Sequence, residues 1–314
     1  MLTDLATLYA DSPLLFVGSV FLLGLVVGSF LNVVIYRVPI MLDRNWRLQA
    51  ADLLQPAVAP GAPGAPGAAA AATPVESPFN LVTPRSACPA CKAPIPAWRN
   101  IPVVSWLLLR GRCAACRAPI SARYPVVELA TAVLSACVAW HFGFGIAAAC
   151  GLGITWALLA LTGIDFDHQL LPDGITLPLL WSGLLAAVVI GPVAGSALPV
   201  APADAVLGAA AGYLSLWLVY HAFRLVTGKE GMGYGDFKLY AALGAWLGWK
   251  PLPLIILLSA ATGAVVGIML ILVRGRDRNI PIPFGPYLAA AGWIAMLYGN
   301  SLLHGYLRIA GLAG

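Results

Sequence analysis

AAACGLGITWALLALTGIDFDHQLLPDGITLPLLW, residues 147–181, carries an apolar run free of charge, then Asp165, Asp167, His168 and Asp173 within nine positions, then a second apolar run. About 20 apolar residues in a helix cross the hydrocarbon of a bilayer. Ionisable groups beside such a run are costly to bury, so each needs a reason. The rest of the chain repeats the pattern. Of its 314 residues, 60% are hydrophobic and 10% charged, against roughly a quarter charged in soluble domains. With a mean hydropathy of +0.86, an ordinary water-soluble globule is excluded. A β-barrel is disfavoured too, because its strands would alternate polar and apolar residues over about ten positions. The expected fold is an all-α polytopic membrane protein.

Eight apolar runs mark candidate spans, near residues 14–36, 126–143, 147–164, 174–193, 204–223, 237–249, 252–273 and 284–303. Three regions follow: a first transmembrane helix at 1–36, a cytosolic loop at 37–125 and a transmembrane core at 126–314. The net charge of +5 comes from 18 Lys and Arg against 13 Asp and Glu. Ten of these cations, Arg37, Arg44, Arg47, Arg85, Lys92, Arg99, Arg110, Arg112, Arg117 and Arg123, lie in the loop. The positive-inside rule makes that loop cytosolic. Alternating spans then bring Arg224, Lys229, Lys238, Arg274, Arg276 and Arg278 to the same side, leaving Lys250 and Arg308 opposite. Asp4 and Asp11 precede the first span without a basic residue, unlike a cleavable signal, so that helix is expected to be a retained anchor with its N-terminus outside. Residues 56–75 are almost wholly Pro, Ala, Gly and Val, a composition that cannot bury a core and reads as a disordered linker.

Four cysteines form an internal echo within the loop: CPACKAPI at 88–95 and CAACRAPI at 113–120. Disulfides are disfavoured in a reducing cytosol. Cys88, Cys91, Cys113 and Cys116 can instead present four thiolates to Zn²⁺ as a zinc-ribbon-like segment, with Lys92 and Arg117 favouring the thiolate form. Redox thiols and an iron-sulfur cluster are the alternatives. A closed four-cysteine site leaves no open coordination position, so its expected role is structural. Cys137 and Cys150 lie within or beside apolar runs and read as buried small hydrophobes.

The acids form two groups. Asp165 follows LLALTGI at a helix end, where the negative pole of the dipole disfavours a carboxylate. Asp167 reads equally as a solvated loop carboxylate, and Asp173, after Pro172 and before an apolar run, as an N-cap. The second group lies in TGKEGMGYGDFK at 227–238, where Gly231, Gly233 and Gly235 alternate ahead of Asp236. Those glycines permit close backbone approach. Asp236 also reads as a cap. The stretch lacks the Gly-Lys-Ser/Thr ending of a P-loop and the Rossmann pattern, which leaves nucleotide binding weakly supported. By the topology both groups share one membrane face. Two carboxyls brought together can share a proton, one activating water and the other acting as acid, as in aspartic proteases.

In these residues the chain resembles the type IV prepilin peptidases, also called leader peptidases, among the GxGD membrane aspartic proteases. The resemblance runs through GSFLNVVIYRVP at 28–39, both cysteine knuckles, YPVVELA at 124–130, IDFDHQLLPD at 164–173, GYLSLW at 212–217, GKEGMGYGDFK at 228–238 and PIPFGPYLA at 281–289. The Pro-Ala-Gly segment is the clear departure. The resemblance implies cleavage of the basic leader from prepilins and type II secretion pseudopilins, at the cytosolic face of a bacterial inner membrane. It implies Asp165 and Asp236 as the catalytic pair, supported by Asp167, Asp173, Gly233 and Gly235. Many such enzymes with the cysteine-bearing loop also methylate the new N-terminus using S-adenosylmethionine. No soluble methyltransferase fold fits in the residues left over, and the cofactor-binding residues are not legible. Tyr36, Arg37 and Glu128 are candidate contacts, with an interfacial anchor and a helix-end ion pair as equal explanations.

The substrate fits the charge map, since a basic leader would meet Asp165, Asp167, Asp173, Glu230 and Asp236 while its apolar helix enters from lipid. The surrounding Lys and Arg suit membrane lipid headgroups, not nucleic acid. A proton- or ion-coupled transporter is the rival from another class, and it would need mid-membrane charges and two related halves. An assembly scaffold is a third reading, and it leaves GYGD unexplained.

Overall fold

The computed structural model describes residues 2–54, 78–193, 198–274 and 283–309. Ten α-helices lie among them: α1 Leu2–Asp11, α2 Pro13–Leu54, α3 Val104–Leu108, α4 Arg123–Phe142, α5 Ile146–His168, α6 Asp173–Val189, α7 Pro202–Thr227, α8 Tyr234–Leu247, α9 Leu252–Arg274 and α10 Gly285–Ile309. All eight apolar runs are helical. Five of the helices, α2, α4, α5, α7 and α9, are long and apolar enough to cross a membrane. At 17 and 14 residues, α6 and α8 are shorter than the roughly 20 that a full crossing takes. The linker at 56–75 lies outside the described residues.

Ser12 and Pro13 divide α1 from α2, because a proline is accommodated in a first helical turn but cannot continue a preceding ladder. From there α2 runs for 42 residues, through Pro39, and so well past the expected end of the first span at residue 36. At 1.5 Å per residue it is about 60 Å long, twice the hydrocarbon thickness. Its second half is a polar extension on which Asp43 pairs with Arg47 at 2.9 Å, one turn apart.

Glycines set the closest helix contacts, as expected where lipid supplies little drive for association and backbones must approach closely. Gly24 and Gly28 of α2 lie against Ala132 and Glu128 of α4, so close that a Cβ on either glycine would stand 2.7 Å from the facing Cα. Gly208 of α7 meets the backbone of Gly244 in α8. Around α8 the core is driest: Phe237, Leu239, Ala242 and Ala245 have no exposed surface. Tryptophan N–H groups bridge neighbouring helices. Trp246 donates to the Leu179 carbonyl of α6 at 2.8 Å, and Trp293 of α10 to Thr155 of α5 at 3.1 Å. Cys137 is exposed on α4, not buried. In a bilayer that face meets lipid, which is as apolar as a protein core, so a run that is apolar all round does not say which side packs.

Candidate active site

Asp165 occupies the last turn of α5, where Gln169 adopts a left-handed conformation and returns its N–H to the Asp165 carbonyl at 2.9 Å. Asp236 lies in the first turn of α8, two residues after Tyr234, and the cap position is held by Gly233. The helix dipole therefore disfavours a carboxylate at Asp165 and favours one at Asp236. Both are buried, at 5% and 7% exposure, and they are near enough for the charge of one to act on the other.

Their surroundings differ. Gly285, the first residue of α10, donates its N–H to Asp165 Oδ2 at 3.0 Å. A Cβ on Gly285 would lie 2.6 Å from that oxygen, so the approach requires glycine. Asp236 has the Gly233 backbone as a hydrogen-bonding neighbour, while its Oδ1 is buried without a partner among the described residues. An orphaned carboxylate oxygen in a buried setting costs about 1–3 kcal/mol or more, which suits a group kept free for a reactant. Leu171 lies between the two acids' supports, close to the backbone at both Gly235 and Gly285. Gly235 thus serves close approach, to Leu171, as the glycine spacing suggested, whereas a Cβ on Gly233 would meet nothing nearer than 3.8 Å.

The two flanking acids are tied elsewhere. Asp167 is held by Arg123 at the start of α4 through contacts of 2.6 and 2.8 Å, so it is no free loop carboxylate. Asp173 is the first residue of α6 and not its cap: Pro172 takes that place. Both Asp173 oxygens accept from Lys238 Nζ of α8, at 2.6 and 2.8 Å. The cap expectation fails because a partner 65 positions away offers a charge-assisted bond. Sequence reasoning also missed Gly285; a glycine set between Phe284 and Pro286 ahead of an apolar run was the available signal.

The other expected contacts are structural in character. Arg37 is buried and donates to the carbonyls of Asn80 and Pro84 at 2.7 and 2.6 Å, which fastens the loop to α2. Glu128 accepts from the Val103 N–H at 2.7 Å, and Tyr36 is exposed. Of the explanations left open for them, a helix-end ion pair is not formed by Arg37 or Glu128 among the described residues.

The cysteine echo is an echo of geometry. Cys88 and Cys113 each accept at their carbonyl from the residue four positions on, Lys92 at 2.9 Å and Arg117 at 3.0 Å. Those two basic residues share a left-handed φ of 60° and 61°. Short antiparallel bridges, Ala87 to Pro94 and Arg112 to Pro119, close each knuckle. The four sulfurs lie within 4.8 Å of one another, and Cys88 Sγ is 3.8 Å from Cys116 Sγ. Tetrahedral metal–sulfur bonds of about 2.3 Å place sulfurs about 3.8 Å apart, so the set can hold a metal ion. The amides of Cys116 and Ala115 push the Cys113 thiol down to about 6, and those of Cys91 and Ala90 lower Cys88. Cys116 moves the other way, to about 11: the Ala118 amide lowers it, but the neighbouring Cys91 thiol, burial and the other cysteines outweigh that. Four adjacent thiols cannot all ionise unless a cation joins them.

Two family models cover most of the chain: the bacterial peptidase A24 N-terminal domain matches residues 22–142, and the type IV leader peptidase family matches residues 152–268. A prepilin leader peptidase/N-methyltransferase of Stutzerimonas stutzeri is 53% identical over 303 residues, covering 96% of this chain and 98% of that protein. Proteins of the same description from Pseudomonas aeruginosa and Aeromonas hydrophila are 52% and 54% identical, covering 96% and 94% of this chain and 97% and 95% of their own lengths. No solved structure matches the chain.

Proposed function

Because the chain belongs to the type IV leader peptidase family, we propose that it cleaves the basic leader from prepilins and pseudopilins and N-methylates the new N-terminal residue. Asp165 and Asp236 carry the hydrolysis in this reading. The observation that supports it most is the pair itself: two buried acids, one in the last turn of α5 and one in the first turn of α8, one of them with an oxygen that has no partner among the described residues. An amide donor stabilises a carboxylate, so Asp165, holding the Gly285 N–H, takes the proton of the attacking water. Asp236 gives its proton to the peptide carbonyl; as the tetrahedral intermediate collapses, Asp165 passes the water's proton to the leaving amine and Asp236 recovers a proton from the gem-diol hydroxyl. Asp167, Asp173, Gly233 and Gly235 hold the helix ends that present the pair.

The metal is Zn²⁺ in this proposal, since four thiolates favour a soft or borderline ion in a closed tetrahedral site. Cys88, Cys91, Cys113 and Cys116 would hold it, and its contribution is to fold the loop. S-adenosylmethionine, when bound, would supply the methyl group. The enzyme sits in the bacterial inner membrane as eight spans, N-terminus outside, with residues 37–125 and the acids toward the cytosol, as the distribution of Lys and Arg supports. The transporter reading has no counterpart among the relatives, and both acids lie at helix ends.

Asp165→Asn and Asp236→Asn should each lower cleavage of a prepilin by at least about a hundredfold while leaving the protein folded. Leader release is followed by mass, with methylation of a precleaved pilin measured in parallel. Near-normal cleavage by either variant rejects the pair.

A further inference from the structure

Helix α3 sits where the cysteine knuckles meet the spans. Its entry residue, Val103, donates its N–H to the buried Glu128, and Ser29 of α2 is a second hydrogen-bonding neighbour of that carboxylate. Glu128 lies five residues into α4, about 7–8 Å along its axis. Taking the start of α4 as the level of the headgroups, the two spans place α3 near the depth, about 5–10 Å, at which interfacial segments lie between headgroups and acyl chains. From the other side Trp106 ties α3 to the second knuckle. Its Nε1 donates to the Ile120 carbonyl at 3.1 Å, and its ring presses on Gly111.

With Trp106 turned toward the knuckle, the remaining apolar side chains lie uncovered among the described residues. Leu107 is 60% and Leu108 80% exposed, and Ile101 and Val104 are exposed as well. Directly after them, Leu109, Arg110, Arg112 and Arg117 line one cleft. These three arginines are exposed and have no acidic partner among the described residues. A contiguous apolar patch marks an interaction site, and guanidinium groups match phosphate oxygens bidentately. We propose that residues 101–112, together with Arg117, form an interfacial anchor that inserts Leu107 and Leu108 into the leaflet bordering the start of α4 and binds anionic phospholipid headgroups through the arginines. A membrane surface is the occupant because the spans themselves set the depth of α3. The inference does not depend on the catalytic assignment.

The test uses the full chain in nanodiscs of phosphatidylcholine alone or with roughly a third phosphatidylglycerol, with hydrogen exchange read at residues 104–112. Exchange should slow by at least about fivefold in the anionic discs, the factor expected from roughly one arginine at a charged surface. Arg110→Gln, Arg112→Gln and Arg117→Gln in one chain should remove that difference. Leu107→Gln with Leu108→Gln should speed exchange in both discs, with exchange in α4 and α5 unchanged as the measure of folding. Equal exchange of the unaltered chain in the two discs would overturn the proposal whether or not the variants fold. So would protection that arises only on adding prepilin, which would assign the patch to substrate.

Discussion

At Gly285 a missing methyl group decides where a carboxylate stands. The residue's N–H reaches Asp165 only because nothing occupies the Cβ position 2.6 Å from Oδ2. Gly285→Ala keeps the donor but displaces the acid, and a misplacement of about 1 Å can cost a hundredfold in rate. The expected result is a tenfold to hundredfold loss of kcat, roughly, with unchanged thermal stability of the remaining helices. Asp167 makes the contrast. Its pair with Arg123 is partly exposed, at 45% and 29% for the Arg123 and Asp167 side chains, where such pairs are worth about 0–1 kcal/mol. Asp167→Asn should therefore retain cleavage within about tenfold of the parent; a loss as deep as that of Asp165→Asn would place it in the chemistry. Sequence alone offered both Asp165 and Asp167 two residues apart. The helix-end position and the resemblance singled out Asp165; its burial was not legible, because that depends on what α10 brings from 120 positions away.

Among the elements, the two knuckles repeat one hydrogen-bond pattern around one set of sulfurs, and the spacing made that legible. Replacing Cys88 and Cys91 with Ser should release metal, because hydroxyls hold Zn²⁺ far less well than thiolates. The expected outcome is a greater loss of methyl transfer than of cleavage per folded molecule, since the acids on α5 and α8 do not touch the loop's metal site. Cleavage lost with methylation intact would overturn that division. The extension of α2 to Leu54 was not legible in the same way. The run of hydrophobicity ends near Arg37, but a helix leaving a membrane needs only ordinary propensity to continue in water, and the residues after Arg37 carry no glycine and one tolerated proline. The Asp173 bond to Lys238 was equally hidden. Local capping rules weigh neighbours in sequence, and this partner comes from another helix.

For the whole molecule, the bilayer's demand for long apolar runs made the five long apolar helices, α2, α4, α5, α7 and α9, readable in advance as spans. Which face of each helix packs was not readable, as exposed Cys137 shows, because lipid and protein interior select the same side chains. The Pro, Ala and Gly segment bears on the protein's tolerance of change. A composition unable to bury a core can be shortened with little effect, since closure entropy varies slowly with loop length. Deleting residues 58–72 should leave cleavage and metal content nearly unchanged; loss of both would give the segment a part in ordering the loop.

Asp165 and Asp236 ride on α5 and α8, which are joined chiefly through α6 and α10 and not by broad packing on each other. The gap between the acids is thus a function of how four rods lean. Membranes that are too thick or too thin change that lean, since helices meet a mismatch by tilting. Acyl-chain length becomes a control on turnover that no substitution in the chain is needed to operate. Cleavage measured across bilayers of graded chain length should pass through a maximum and fall on both sides, while detergent-solubilised enzyme shows no such dependence on lipid length.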